Sequence, residues 1–189
     1  MFLLFTIGHS NRSLAEFLAL LTENGMKALA DVRRFPGSRR YPQFSRDTLA
    51  RALEEIGILY KHFPALGGRR TERNNASPNN AWRVAAFAAY ADYMLTDEFD
   101  AAFAQLTALA QMHRTAIMCA EALPWRCHRR LIADQFVAGG WAVHDIIGPT
   151  SIREHMLPPF ATIAGGRVTY PGPAPSPGSP AKLSPPPLR

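Results

Sequence analysis

Cys119, Cys127 and His128 are the residues of this sequence best suited to covalent or metal chemistry. All three lie in the stretch Cys119-Ala120-Glu121-Ala122-Leu123-Pro124-Trp125-Arg126-Cys127-His128-Arg129-Arg130. Three chemistries compete for it. In the first, Cys127 or Cys119 supplies a thiolate nucleophile while His128 or His9 handles the proton. In the second, Cys119, Cys127 and His128 hold a metal, with His9 or Glu121 as a further ligand; the C-x7-C-H spacing matches none of the familiar short zinc patterns. In the third, Arg33, Arg126 and Arg129 bind an anion and the cysteines are small buried residues. Pro124 suits the first turn of a helix, which predicts Cys127 in that turn. There the helix dipole and Arg126, Arg129 and Arg130 would pull a thiol below its free value of about 8.5.

These groups need a scaffold, and the hydrophobic pattern supplies one. Residues 2 to 7 form a continuous apolar run, as expected of a strand buried on both faces, and lead into Gly8-His9-Ser10-Asn11-Arg12. Ser13 with Glu16 makes a capping box, and Leu14, Phe17, Leu18 and Leu21 repeat at helical spacing before Gly25. The same alternation predicts strands over residues 28–33, 58–63, 115–119 and 141–146. Helices are expected around Leu49 to Ile56, Trp82 to Tyr93, Phe99 to Leu109 and Arg126 to Ala138. Residues 64–80, with Gly67-Gly68, Arg69, Arg70 and Arg73, carry no periodicity and read as a long mobile loop. A short helix around Ser151 to Met156 and a hairpin through Gly165-Gly166 follow. The prediction is a three-layer α/β domain over residues 1–170, with a mostly parallel five-stranded sheet, helices on both faces and a C-terminal β-hairpin. From Pro171 to the end, eight of nineteen residues are proline and none is acidic, which predicts a disordered tail over 171–189.

In such sheets ligands bind at the carboxyl ends of the strands. The first predicted strand is followed by His9 and Ser10, the second by Asp31, Arg33 and then Tyr41, and the fourth by Cys119, Glu121 and Cys127-His128-Arg129. Polar side chains from three distant segments therefore converge on one edge.

Composition narrows the partner class. The chain has 189 residues, 21 of them Lys or Arg against 15 Asp or Glu, for a formal charge of +6. That balance favours an anionic small molecule or nucleic acid as partner. The apolar opening is too short for a secretory segment and has no charged lead, no stretch can span a membrane, and two cysteines do not make a disulfide framework. A cytoplasmic protein with reduced thiols is expected. No G-x-G-x-x-G, Walker loop or H-E-x-x-H occurs, and neither cysteine has Arg at the sixth place that a C-x5-R phosphatase or sulfurtransferase loop requires. These residues leave the cofactor open, with Cys119, Cys127 and His128 as the candidate metal ligands.

Taken together, Thr6-Ile7-Gly8-His9-Ser10-Asn11-Arg12-Ser13, Asp31-Val32-Arg33 with Pro36 to Ser45, and Cys119-Ala120-Glu121 with Cys127-His128-Arg129 resemble the domain of unknown function 488 family over about residues 4 to 147. The resemblance implies a compact α/β domain of bacterial type whose activity is not established. Its motif positions fall on Gly8, His9, Ser10, Asp31, Arg33, Cys119, Glu121, Cys127, His128 and Arg129. The reading is a small enzyme acting on an anionic, nucleotide or nucleic-acid-derived substrate. His9, Glu121, Cys119, Cys127 and His128 are its candidate catalytic residues, and Ser10, Asp31, Arg33, Tyr41 and Arg129 would hold the substrate. The alternatives are a noncatalytic nucleic-acid-binding module and a metal-binding protein using Cys119, Cys127 and His128.

Overall fold

A computed structural model of the chain describes residues 2–173 apart from Ser38 and Asn75. From residue 174 onward, the expected proline-rich tail lies outside the described residues. The first strand, β1 (Leu3–Gly8), is followed by helix α1 (Leu14–Glu23), whose capping box forms as expected: Ser13 Oγ accepts from the Glu16 amide and the Ser13 amide donates to Glu16 Oε2. Strand β2 (Ala28–Asp31), helix α2 (Arg46–Glu55) and strand β3 (Leu59–His62) come next. Helices α3 (Ala85–Tyr93) and α4 (Asp97–Met112) precede strand β4 (Thr115–Cys119), helix α5 (Arg129–Ala138) and strand β5 (Ala142–Gly148). The chain continues through β6 (Ser151–Glu154) to the hairpin β7 (Thr162–Ala164) and β8 (Arg167–Thr169).

Six strands form one sheet in the order β3-β2-β4-β1-β5-β6, the first five parallel and β6 antiparallel to β5. Alternate residues divide between two cores. Phe5, Ile7, Leu29 and Met118 meet Phe17, Leu21, Leu49 and Leu53 of α1 and α2. Leu4, Ala30, Val32 and Ile117 meet Tyr90, Leu106, Leu131 and Phe136 of α3, α4 and α5. Both faces of the sheet's centre are covered, which is why β1, β2 and β4 read as apolar runs.

The element expected after β5 is different. Residues 151–154 form a sixth strand, not a helix: Gly148-Pro149-Thr150 reverses the chain, and Ser151–Glu154 pairs along β5. The outer edge carries Arg153 and Glu154, charges suited to an unpaired strand edge. The glycine hairpin forms as predicted, with both Gly165 and Gly166 at positive φ, as its tight turn requires. The 64–80 loop is more tightly held than its composition suggests. Asp92 accepts hydrogen bonds from Ser77 Oγ and Asn79 Nδ2 and pairs with Arg73 at 3.1 Å. Among the described residues, no helix is long and apolar enough to cross a membrane.

Where β6 ends, His155 turns inward between two carboxylates, Asp134 of α5 at 2.8 Å and Asp145 of β5 at 2.9 Å. Tyr170 also donates to Asp134, and Arg130, Arg153 and Glu154 line the shallow cleft outside. Burial opposes charge on His155, but the two carboxylates outweigh it and raise its pKa to about 9. In an unfolded chain the value is about 6.5, so stability from this site is complete below that pH and lost as pH rises through about 9. Tyr170 stays neutral in that window, because burial pushes it well above 10. The urea midpoint of the wild type should therefore exceed that of His155→Gln by a margin that shrinks between about pH 6 and pH 9. A constant margin across that range rules out the buried imidazolium.

Candidate functional site

Strand order decides where a crevice opens. From β1 the chain leaves through α1 on one face of the sheet to reach β2, and from β4 it leaves through α5 on the other face to reach β5. The neighbours β1 and β4 thus send their connections in opposite directions, and their carboxyl ends part at that point. The His9 amide donates to the Cys119 carbonyl and the Ser10 amide to the Ala120 carbonyl, zipping the two loops together for one step beyond the strands. Ser10 has φ of 50°, the only non-glycine residue at positive φ among the described residues, and its strained backbone borders the crevice.

Gly8 lets this happen. A Cβ there would fall 1.9 Å from the Glu121 carbonyl oxygen. From the other side Arg129, fully buried, donates to the carbonyls of Glu121 and Ala122 and through Nε to Thr6 Oγ1 at 3.4 Å. The loop after β4 is therefore clamped between β1 and α5. That arrangement corrects the expected role of Arg129, whose guanidinium is spent on backbone carbonyls and does not line the cavity.

At the end of β2, Asp31 is fully buried and accepts from the Arg33 amide, from Arg33 Nε and NH2 at 2.9 and 2.6 Å, and from the Tyr60 hydroxyl at 2.7 Å. Its part is to aim Arg33; it does not line the cavity. Arg33 also donates through NH1 to the Phe44 carbonyl and to His9 Nε2 at 3.3 Å. Burial works against its charge, yet Asp31 more than offsets this, and the pKa of Arg33 is raised. Most of its N–H groups are thus occupied by these neighbours, and its side chain borders the cavity.

His9 differs from the expectation. It stacks on Phe44 at 4.3 Å, its Nδ1–H donates to the Ser10 carbonyl, and its Nε2 accepts from Arg33. Desolvation, with Arg33 adding to it, lowers its pKa to about 4. A neutral imidazole with both nitrogens engaged props Arg33 and has no free lone pair for acid–base work.

The remaining corner holds the sulfurs. After β4 a 3-10 turn, Pro124–Arg126, intervenes, so Cys127 is extended and is separated from α5 by His128 instead of lying in its first turn. The reason is Pro124, which opens the short turn and not the long helix. His128 donates from Nε2 to the Val32 carbonyl at 3.0 Å, and that bond turns Nδ1 toward Cys127 Sγ at 3.6 Å and Cys119 Sγ at 3.8 Å. Tyr90 meets the imidazole edge-on, and a Cβ at Gly68 would fall 2.3 Å from its Cγ, so the ring is held between them. The two thiols differ. A hydrogen bond to Cys127, together with burial, pushes Cys119 up to about 12. For Cys127 burial acts upward, but the Cys119 hydrogen bond and the Arg129 charge prevail and bring it down to about 7.

A cavity of about 680 Å³ opens above this floor. Of the residues singled out in the sequence, His9, Ser10, Arg33, Tyr41, Cys119, Glu121, Cys127 and His128 line it, and Asp31 and Arg129 stand behind. Arg34, Phe35, Gly68 and Phe87 also line it, with no motif to mark them. Arg69 and Arg126, exposed at the rim, have no side-chain hydrogen bond or ion pair among the described residues.

Residues 13–136 match the family described as Domain of unknown function DUF488. The chain belongs to that family. No curated protein and no solved structure matches it. The DUF488 match is narrower than the stretch that carried the resemblance: it includes Asp31, Arg33 and the whole cysteine segment but begins after His9 and Ser10.

Proposed function

We propose that this DUF488 domain is an enzyme acting on an anionic substrate of nucleotide type, bound in the cavity at the carboxyl ends of β1, β2 and β4. The observation that carries this reading is the juxtaposition of a sulfur–imidazole centre on the cavity floor with unpaired arginines at its rim. Arg69 and Arg126, with Arg34 and Arg33 beside them, would hold the anionic group. Phe35 is 65% exposed beside the guanidinium groups of Arg34 and Arg69, which offers a face on which a base can stack. The volume falls in the range of about 300–1,000 Å³ usual for small-molecule sites. Cys119, Cys127 and His128 form the reactive centre, Glu121 is the acid–base group facing the cavity, and Ser10 and Tyr41 complete its wall.

Binding of nucleoside monophosphates and short oligonucleotides to the full chain, followed by calorimetry at low salt, tests the anion site. The double substitution Arg69→Glu and Arg126→Glu should weaken the best ligand by about tenfold or more, as expected for losing two charge-assisted contacts. Unchanged binding overturns the site. Product analysis by mass spectrometry then separates an enzyme from a nucleic-acid-binding module. Turnover by the wild type that Cys127→Ala abolishes supports the enzyme. Salt-sensitive binding without turnover, equal in wild type and Cys127→Ala, selects the module.

A further inference from the structure

The Cys119–Cys127–His128 triangle has the dimensions of a coordination site. We propose that it binds one zinc-type divalent cation through Cys119 Sγ, Cys127 Sγ and His128 Nδ1, with the fourth position open to the arginine-lined cavity. The inference deepens the reading of that cavity as an active site by naming its cofactor class.

Tetrahedral zinc with Zn–S of about 2.3 Å and Zn–N of about 2.0–2.1 Å places sulfur and nitrogen ligands about 3.6 Å apart. His128 Nδ1 lies 3.6 Å from one sulfur and 3.8 Å from the other, and the three donor atoms all fall within 4.8 Å of one another. Orientation is built in as well. The ring's other nitrogen donates to the Val32 carbonyl at 3.0 Å, the outer partner that metal-bound histidines require to fix tautomer and direction. Each ligand stands on rigid structure: Cys119 ends β4, and Cys127 and His128 lead directly into α5. All three border the cavity, so the vacant vertex faces the space where a substrate anion or water would lie. Two thiolates and an imidazole are soft to borderline donors, which favours Zn²⁺ over Mg²⁺, Ca²⁺ or Mn²⁺. The spacing matches no short zinc pattern because the first ligand comes from a strand end and the other two from beyond a 3-10 turn, whereas short zinc patterns place a pair of ligands on one turn.

The test uses the full chain, purified without a polyhistidine tag or chelator. Elemental analysis should find one zinc per chain. After chelator stripping, equimolar Co²⁺ should bind and give the near-ultraviolet thiolate-to-cobalt charge-transfer band, displaced by Zn²⁺. Cys119→Ser and Cys127→Ser should lose the band, and His128→Ala should weaken Co²⁺ binding by about tenfold or more. Circular dichroism establishes whether each variant is folded, and the wild-type spectrum decides even where a variant is not. The proposal is overturned if reduced wild-type protein takes up neither ion while both thiols react freely with a thiol reagent, or if it yields only a Cys119–Cys127 disulfide that binds no metal after reduction. Nucleotide binding to the stripped protein separates the two failures. An anion site without metal removes only this inference, whereas metal uptake with no anion binding removes only the substrate reading.

Discussion

Arg129→Met is expected to lower the unfolding free energy by about 2 kcal/mol, since an acceptor left without a donor costs about 1–3 kcal/mol when buried and the two carbonyls affected are part-buried. Arg129 is fully buried and heads the largest side chains that are so among the described residues. Methionine keeps most of its length, so the cavity term is small, but it removes the donors on which the Glu121 and Ala122 carbonyls rely. Relief from burying a guanidinium works in the opposite direction. It does not restore partners to the two part-buried carbonyls that Arg129 holds. Urea denaturation with a fitted slope provides the measurement. A loss under about 1 kcal/mol with an unchanged slope would show that the clamp contributes little. The same variant should release Glu121 and Cys127 from their places, so metal or nucleotide binding should fall in molecules that remain folded.

Gly8→Ala carries the second large effect. Its Cβ would meet the Glu121 carbonyl oxygen at 1.9 Å, the carbonyl carbon at 2.7 Å and Ala122 Cα at 2.9 Å. All three are backbone atoms, so no side chain can swing aside. The loop is pinned from its far side by Arg129 and along its edge by the His9 and Ser10 amides. Overpacking of this kind costs about 1–3 kcal/mol or more. For a domain of this size that corresponds to several degrees of melting temperature. Gly148→Ala is the matched control, because nothing lies within 4 Å of a Cβ there. Equal melting temperatures for the two variants would mean that the loop yields freely, contrary to the clamp described above.

Much of the scaffold was legible in the residues. Continuous apolar runs marked β1, β2 and β4, the Ser13–Glu16 pair marked the start of α1, and Gly165-Gly166 marked the hairpin. The sixth strand was not, because Ser151–Glu154 lies at an edge and shows no buried face; what defines it is pairing to β5, which no local pattern encodes. The site divides in the same way. Residues at strand ends could be gathered from topology alone, and eight of them line the cavity. Side-chain direction could not be gathered. Asp31 and Arg129 turn inward to hold Arg33 and the Glu121 loop, and His9 spends both nitrogens on neighbours. Phe35 and Phe87 offered no signal, since an aromatic in a loop or on a helix reads as core until its exposure is seen.

The position of β1 has a kinetic consequence. The first strand made is bonded on one side to β4 and on the other to β5, with Thr6 Oγ1 reaching Asp145 across 139 residues of chain. Until residues 115–119 and 142–148 have been synthesised, its backbone groups on both edges lack their native partners. High contact order of this kind slows folding. It also exposes an apolar segment to aggregation while the rest of the sheet is awaited. A fragment ending before Thr115 should therefore be insoluble or depend on a chaperone, whereas the completed chain closes the sheet by threading its oldest strand between its two youngest parallel ones.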